Sequence, residues 1–514
     1  MRELLVIFRK DVKHLWPLGA AVSALVILHG WVDLRLEFSF LHTLNMRWHE
    51  YEPWLLFLGW WCLVAILMQQ ERTVGDRQYW LTRPISGAAL AGAKGLFLVA
   101  FICVPSFLAQ TAVLIATGFS VAEHFPALAW NQVLIFCYFL VAGALAAVTR
   151  SFRQYAVASL AVFAAFTFVE TWKVNTDGGQ WEGVQWAQEA ASQIVIVAAG
   201  AVVFGLQYTG RRTVLSRSIL GAGLVVTSLL LWTDWWHAAF ALTSAVKGPP
   251  DQASKQIRVA FDETASPPPD LNRPLDGSAM PFRIGAPVRI AVPVRVTGVP
   301  SGRELLSERV SVTLQGLGGA AWNSGWRVSN ELSERTIWRN SDEWLTGDGT
   351  YWLSFDVPAA YFERVKDEPV RVLASVALSE FTSPAVTHLP AKPRQFPVPG
   401  LGHCSMDTIN REFTMVSCVV PFQNRAAVDF RIQPHTGASW ELSGCCTISY
   451  VPFETGGHFS LWGDVGSMPS GTKRLSPDDA VSIEMRRPVS FFERGVGIGN
   501  IHLARYEVRA REGQ

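Results

Sequence analysis

Residues 95–117 read GLFLVAFICVPSFLAQTAVLIAT, a stretch of 23 residues without a single charge. A helix rises 1.5 Å per residue, so about 20 mostly apolar residues cover the ~30 Å hydrocarbon core of a bilayer. This stretch is therefore expected to cross a membrane. Six further runs of similar character flank it, at 16–33 and 53–69 before it and at 130–149, 154–172, 188–208 and 218–236 after it. Beyond residue 240 no comparable run occurs.

The composition agrees. Charged residues make up 17% of the 514-residue chain, against about 25% in an ordinary soluble domain. Hydrophobic residues make up 49%, and the mean hydropathy is +0.20. This excludes disordered and collagen-like classes. The net charge of +1 lends no support to a nucleic-acid partner.

Loop charges orient the crossings. One set of connections holds Arg2, Arg9, Lys10, Lys13, Arg72, Arg77, Arg83, Lys94, Arg150, Arg153, Arg211, Arg212 and Arg217. The alternate set holds only Arg35, Arg47 and Lys173. Basic residues stay on the cytoplasmic side. The N-terminus is thus expected inside, and seven crossings carry everything after about residue 240 outside. Trp31, Trp48, Trp54, Trp130, Trp172, Trp232, Trp235 and Trp236 all fall at the expected outer ends, as an interfacial belt does. The first run exits through Trp31-Val32-Asp33, which lacks the small-residue pattern of a signal-peptide cleavage site.

Ahead of the first run, Leu4, Leu5, Phe8, Val12, Leu15 and Trp16 are assigned to one helical face, and Arg2, Glu3, Arg9, Lys10 and Lys13 to the other. Residues 1–15 are expected to form an amphipathic helix on the inner membrane surface, its basic face toward anionic lipid. The alternative is a helix that prolongs the first crossing.

The second half reads differently. Residues 241–281 are Pro-rich linker with one strand at 256–262. From 282 to 514, period-2 alternation takes over. Val288, Ile290, Val292, Val294 and Val296 alternate with Arg289, Pro293 and Arg295. Pro293 cannot donate to a ladder, so this strand is expected at an edge or bulged. Similar sets occur at 309–315, 351–357, 370–378 and 506–508, with a short helix at 358–366. Gly495-Val-Gly-Ile-Gly is read as a structural turn. The expected class is an α-helical polytopic membrane domain (residues 16–240, about seven transmembrane helices) followed by an extracytoplasmic all-β, sandwich-like domain. Its 233 residues allow one large sandwich or two small ones.

Cys62, Cys103 and Cys137 lie in the apolar runs and read as packing residues. Cys404, Cys418, Cys445 and Cys446 lie in the half expected outside, where disulfides persist. A direct Cys445–Cys446 bond closes a strained ring, so each is expected to pair with Cys404 or Cys418. No tight Cys-x-x-Cys spacing points to a metal.

Catalytic and cofactor motifs are missing. The chain has no Gly-Lys dipeptide and hence no phosphate loop. It has no HExxH, no GxSxG, and no GxGxxG between a strand and a helix. The expectation is no enzyme and no cofactor. Mid-depth carboxylates are scarce, as His29, Glu170 and Asp234 sit near run ends. Gln110, Gln132 and Gln193 suit helix–helix hydrogen bonds, and Gly143/Ala147 and Ala201/Gly205 suit close packing. Any transport would draw its energy from another polypeptide.

The loop after the second run opens with Glu71, Arg72, Gly75 and Arg77 and continues Trp80-Leu-Thr-Arg83-Pro84-Ile-Ser86 to Lys94. It is expected to present a charged, exposed face suited to a soluble partner, although an ordinary basic inside loop would look similar. A preceding amphipathic helix, Glu-x3-Gly after the second span and a Trp-Leu-Thr-Arg-Pro-Ile-Ser segment before a Lys together resemble the ABC-2 type transporter permeases. The resemblance covers residues 1 to about 210 and rests on Glu71, Gly75, Trp80, Arg83, Pro84, Ser86 and Lys94. It implies a multi-pass permease subunit in the cell (inner) membrane, paired with a second, usually identical, permease subunit and driven by two cytoplasmic ATPase subunits. It also implies export of a lipid, glycan, drug or peptide, with residues 70–93 as the ATPase-coupling loop and the segment 2–15 helping to anchor that contact. The seventh crossing and the large β domain depart from the family pattern. They leave room for a second reading, a membrane-anchored sensor or binding protein whose β domain recognises an extracytoplasmic ligand.

Overall fold

The computed structural model describes residues 2–38, 42–71, 86–116, 119–177, 182–233, 235–265, 287–316, 318–327, 331–333, 344–390, 394–398, 402–409, 413–421, 427–433, 440–441, 446–447, 462–467 and 480–508. The N-terminal half is helical: α1 (Arg2–Phe38), α2 (His42–Gln69), α3 (Gly87–Leu98), a π-helical turn (Val99–Cys103), α4 (Val104–Ala116), α5 (Val121–Val148), α6 (Phe152–Asp177), α7 (Glu182–Gly210), α8 (Thr213–Leu230) and α9 (Trp236–Lys247). Each expected apolar run falls on these helices, that at 95–117 across α3, the π turn and α4, and the last ending early at Leu230. Among the described residues, five helices are long and apolar enough to cross a membrane: Arg2–Trp31, Gly87–Ala116, Val121–Val148, Ala190–Gly210 and Thr213–Leu230. Leu55–Gln69 of α2 is a shorter apolar helix.

The N-terminal segment is not a separate surface helix. α1 runs unbroken from Arg2 through Pro17 to Phe38. Its buried positions, Ile7, Asp11, Leu15, Val22 and Val26, recur at helical spacing. This stripe packs into the bundle, so the first turns and the first apolar run belong to one helix. The bundle core joins Val22 and Val26 to Trp60, Leu63, Val64 and Leu67 of α2, Phe97 of α3, Phe139 and Ala142 of α5, and Val203 of α7.

Of the small residues expected at helix contacts, Gly143 packs on Met68 and Phe204, whereas a Cβ on Gly205 would meet open space. α7 and α8 come close at Gly223, where a Cβ would lie 2.9 Å from the Ala199 Cβ. Gln132 on α5 donates to Gln110 on α4 at 3.0 Å, the interhelical bond expected of that residue type. Cys62, Cys103 and Cys137 are free thiols.

The C-terminal half is β-sheet-rich. In chain order its elements are β1 (Arg258–Phe261), β2 (Val288–Thr297), β3 (Arg303–Gly316), β4 (Ala321–Arg327), β5 (Glu331–Ser333), β6 (Trp344–Leu345), β7 (Gly349–Val357), α10 (Ala359–Val365), β8 (Pro369–Thr382), β9 (Ala385–Pro390), β10 (Arg394–Val398), β11 (Gly402–Ile409), β12 (Phe413–Pro421), β13 (Ala427–Gln433), β14 (Trp440–Glu441), β15 (Cys446–Thr447), β16 (Trp462–Ser467), β17 (Ala480–Arg486) and β18 (Pro488–His502). Two sheets, β1-β2-β7-β5 and β18-β8-β3-β4, enclose one core. Val292, Val294, Leu353 and Phe355 meet Val310, Val312, Val372 and Phe492 there, with Tyr361 and Phe362 of α10 at its margin. Two more sheets, β10-β11-β12-β16 and β14-β13-β17-β9, make up a second module.

The second module is an insertion in the first. β8 runs into β9 after Ser383 and Pro384, and β17 runs into β18 after Arg487. The antiparallel pair β8–β18 thus continues as β9–β17, and residues 385–486 interrupt the first module. A buried arginine fastens the joint. Arg486 Nη1 donates to Asp429 at 2.6 Å, Nε to Glu304 at 2.6 Å and Nη2 to Glu484 at 2.8 Å. Its guanidinium also lies over the Trp344 ring.

Two local readings change. β2 is an interior strand between β1 and β7, although it contains Pro293. The backbone N–H of Asp262 donates to the Pro293 carbonyl at 3.1 Å, just past the end of β1. In an antiparallel ladder a residue's N–H and C=O point the same way, so the missing proline donor falls where pairing stops. The Gly495–Gly499 run is not a turn. It lies on β18, where Gly495 and Gly497 stand opposite Ser375 and Leu373, and Gly499 falls in the register shift between Ile498 and Ile501.

α9 joins the halves. Ala239 and Phe240 pack against Ala377 of β8, Phe491 of β18 and Trp326 of β4 on one side, and Val184 and Ala187 of α7 on the other. Lys247, in its last turn, pairs with Glu308 and donates to Ser379 at 3.0 Å. Gly248 ends the helix at φ +112, and its carbonyl accepts from Phe491 N at 3.0 Å.

Candidate functional site

Four charged residues of the helical half, Lys10, Asp11, Glu71 and Lys94, converge where α1, α2 and α3 meet. α3 begins at Ser86, whose hydroxyl caps the helix by accepting from Ala89 N at 3.1 Å. Its first turns are rich in Gly and Ala, which lets two neighbours come close. A Cβ on Gly87 would lie 2.0 Å from the Tyr208 carbonyl oxygen of α7, and one on Gly92 would lie 2.8 Å from Leu4 of α1. Leu90, Ala93, Lys94 and Phe97 form the buried stripe of this helix. Helical periodicity therefore carries an ammonium group into the packed interior.

Lys94 is fully buried there, between two carboxylates. Its Nζ lies 3.0 Å from Asp11 Oδ2 of α1, and it also donates to Glu71, just past the end of α2. Lys10 completes the group, 3.4 Å from Asp11 Oδ1 and in contact with Glu71. Two ammonium and two carboxylate groups balance in charge. Such a cluster is costly to desolvate and tolerates poorly the loss of one member. It holds three chain segments in one relative position.

Neighbouring polar contacts tie the same end of the bundle. Arg217 of α8 donates to the Val148 carbonyl through Nε (3.1 Å) and Nη2 (2.8 Å), satisfying the end of α5. Gln69 donates to Thr149 at 3.3 Å. Tyr208 Oη donates to Met68 Sδ at 3.4 Å. The β half joins α7 at its other end, through Val184 and Ala187. From Val184 to Tyr208 the helix spans about 36 Å at 1.5 Å per residue.

Glu71, expected on an exposed face, is instead 7% exposed and engaged by two lysines. Lys94, expected only to open the third run, is the hub. Asp11 and Lys10 join the cluster unanticipated. One signal for Asp11 was present, since it shares the helical stripe of Leu4, Ile7 and Leu15, where a carboxylate needs a partner. Arg72, Gly75, Arg77, Arg83 and Pro84 lie outside the described residues.

In the β half, the register sets Cys404 of β11 opposite Cys418 of β12. Cys446 lies on β15, paired to β13, and Cys445 is outside the described residues. Among the described residues, no group of three His, Cys, Asp or Glu side chains is arranged to hold a metal ion.

Comparison with known proteins finds no matching family model, no matching curated protein and no matching solved structure.

Proposed function

We propose that this chain is the permease subunit of an ATP-driven transporter of the ABC-2 type, acting as an exporter with an identical second subunit and separate cytoplasmic ATPase subunits. The observation that carries this reading is the clamp on both ends of the 72–85 segment. Glu71 at its start is gripped by Lys94 and Lys10, and Gly87 just after its end is wedged against Tyr208. A partner that pushes on this segment would therefore move α1, α2, α3 and α7 together. That is what a coupling loop requires. The sequence resemblance assigns Glu71, Arg72, Gly75, Arg77, Arg83 and Pro84 to the same loop.

In this reading the N-terminus and the ion cluster are cytoplasmic, the chain crosses the inner membrane seven times, and the β half lies outside. Attachment of the β half at the opposite end of α7 supports that arrangement, because about 36 Å exceeds the ~30 Å hydrocarbon core. An oxidising exterior would allow a Cys404–Cys418 disulfide. Directly opposed residues of an antiparallel pair lie within bonding reach. This pairing replaces the cross-pairing with Cys445 and Cys446, and peptide mapping without reductant tests it.

The test of function is purification of the chain from its native membranes in mild detergent, followed by an ATP hydrolysis assay. We expect a stoichiometric hydrolysing subunit, lost from the double variant Arg77→Glu/Arg83→Glu while the chain itself still elutes as a folded species. A chain that purifies without ATPase activity, or a partner retained undiminished by the double variant, contradicts the proposal.

A further inference from the structure

We infer that the third membrane segment is a hinge centred on its π-helical turn, with α1 as the bearing. The segment is the apolar unit Gly87–Ala116, and the turn Val99–Cys103 divides it into α3 and α4. Val104 N donates to the Val99 carbonyl, the i→i+5 bond of a π turn. Pro105 follows at once, and proline has no N–H to give. In an unbroken α-helix that N–H would bond the carbonyl of Phe101. The Phe101 carbonyl accepts instead from the Ser23 hydroxyl of α1 at 3.0 Å.

The packing around this bond is matched to it. One turn before Ser23 stands Gly19, and a Cβ there would lie 2.6 Å from the Phe101 ring. The absent side chain leaves the space that the ring occupies. Phe101 also stacks on Phe97 with centroids 4.6 Å apart. A backbone hydrogen bond has thus been moved from within the helix to a side chain on its neighbour. In hydrocarbon no water can satisfy a freed carbonyl, so a break in a spanning helix persists only where such a replacement exists. π turns concentrate at functional sites, and kinks concentrate at proline.

The two halves differ in restraint. α3 is locked by Lys94 to Asp11 and Glu71 and by Gly87 against Tyr208. α4 packs on α1 at Gly30, where a Cβ would lie 3.3 Å from Ala109 and 3.7 Å from Val113, and on α5 through the Gln132–Gln110 bond and apolar contacts; among the described residues these contacts carry no ion pair like the one that locks α3. A bend at the π turn swings α4 while α3 stays with the ion cluster. The hydroxyl of Ser23 rotates on its own bond and follows the Phe101 carbonyl through a small excursion, which a backbone N–H in a helix cannot do. The hinge concerns this segment alone and needs no partner subunit.

The test is pulsed electron–electron distance measurement on the full chain in lipid nanodiscs. Spin labels are introduced as an unnatural amino acid, so that the native cysteines stay in place. One pair reports on the hinge's free side, with exposed Ile115 at the end of α4 and exposed Leu229 at the same end of α8. The other reports on its fixed side, with exposed Leu96 of α3 and exposed Val214 at the start of α8. We expect a broad distribution for the first pair and a narrow one for the second. Pro105→Ala restores the missing donor and should narrow the first distribution to the width of the second. Ser23→Ala should broaden it further, and Ser23→Thr should keep the native width. Equal widths for the two pairs, or a broad first distribution that Pro105→Ala leaves unchanged, overturn the inference.

Discussion

Lys94 Nζ lies 3.0 Å from Asp11 Oδ2, and neither side chain is exposed at all. The pair joins the third turn of α1 to the middle of α3 across the packed interior. With Glu71 as the second carboxylate on the same ammonium, the contact makes the entrance of the 72–85 segment a fixed point of the bundle.

Removing the hub should cost more than removing a spoke. Lys94→Met leaves Asp11 and Glu71 buried without their shared cation, and breaking a buried pair this way costs about 3–5 kcal/mol. Asp11→Asn keeps Lys94 paired with Glu71 and should cost less. Thermal unfolding in detergent, followed by tryptophan fluorescence, should rank Lys94→Met below Asp11→Asn and both below the native chain. The triple replacement Lys94→Met/Asp11→Asn/Glu71→Gln should recover part of the loss.

Gly87 is a second fixed point, with a purely steric origin. Its Cα faces the Tyr208 carbonyl, and an added Cβ would lie 2.0 Å from that oxygen. Backbone cannot rotate away as a side chain can. Gly87→Ala should therefore destabilise by at least the 1–3 kcal/mol typical of overpacking, whereas Gly95→Ala, which faces open space on the same helix, should not. Comparing the two melting temperatures checks the claim.

The nested β module hangs on one guanidinium. Arg486 is 2% exposed and bonds three carboxylates from both modules. Arg486→Met leaves those largely buried carboxylates without their cation, a loss of about 3–5 kcal/mol. Arg486→Lys keeps the charge but cannot make three directed bonds together with a stacked ring. Limited proteolysis should cut the 385–486 module faster in both variants than in the native chain, and faster in Arg486→Met than in Arg486→Lys.

Acid should loosen the β half first through carboxylates held in their charged form. Asp262 titrates well below the usual range because the Thr264 hydroxyl, then Thr350 and Arg295, bond it. Asp251 does so through the backbone N–H and hydroxyl of Ser254, then Arg303. Glu308 is buried, which alone would raise it, but Lys247 and Ser379 outweigh that and lower it. A depressed folded-state pKa stabilises above the unfolded value and loses that contribution as pH falls through the folded value. The loss should therefore begin as pH drops below about 4, the ordinary carboxylate range, and deepen with further acid. Asp262→Asn should flatten that acid limb while changing stability at pH 7 and above in the unfavourable direction only.

Much of the fold was legible because its signals are local. Long apolar runs marked the helices, and alternation at 288–296 and 351–357 marked strands whose inward faces are indeed buried. Asp11 escaped because the apolar face of α1 was drawn through Leu5 and Trp16, which are exposed. The true stripe passes through Ile7 and Asp11, about one residue round the helix. Glu71 was singled out, but as an exposed residue; its burial escaped because its partner Lys94 lies across a loop, where no periodicity connects them. The nesting of residues 385–486 was invisible for the same reason. It depends on β8 pairing with β18, a contact between strands separated by the whole inserted module. Gly495 and Gly497 suggested a turn by composition, yet they lie on a strand because β8 supplies its ladder partner.

The central claim is that the ion cluster with its 72–85 segment and the β half face opposite sides of the membrane. Single cysteines at Arg77 and at exposed Val386, treated in intact cells with a membrane-impermeant maleimide, test it most directly. The account predicts labelling of the Val386→Cys variant only, with the Arg77→Cys variant labelled after the cells are opened. Labelling of both in intact cells, or of neither, would contradict it.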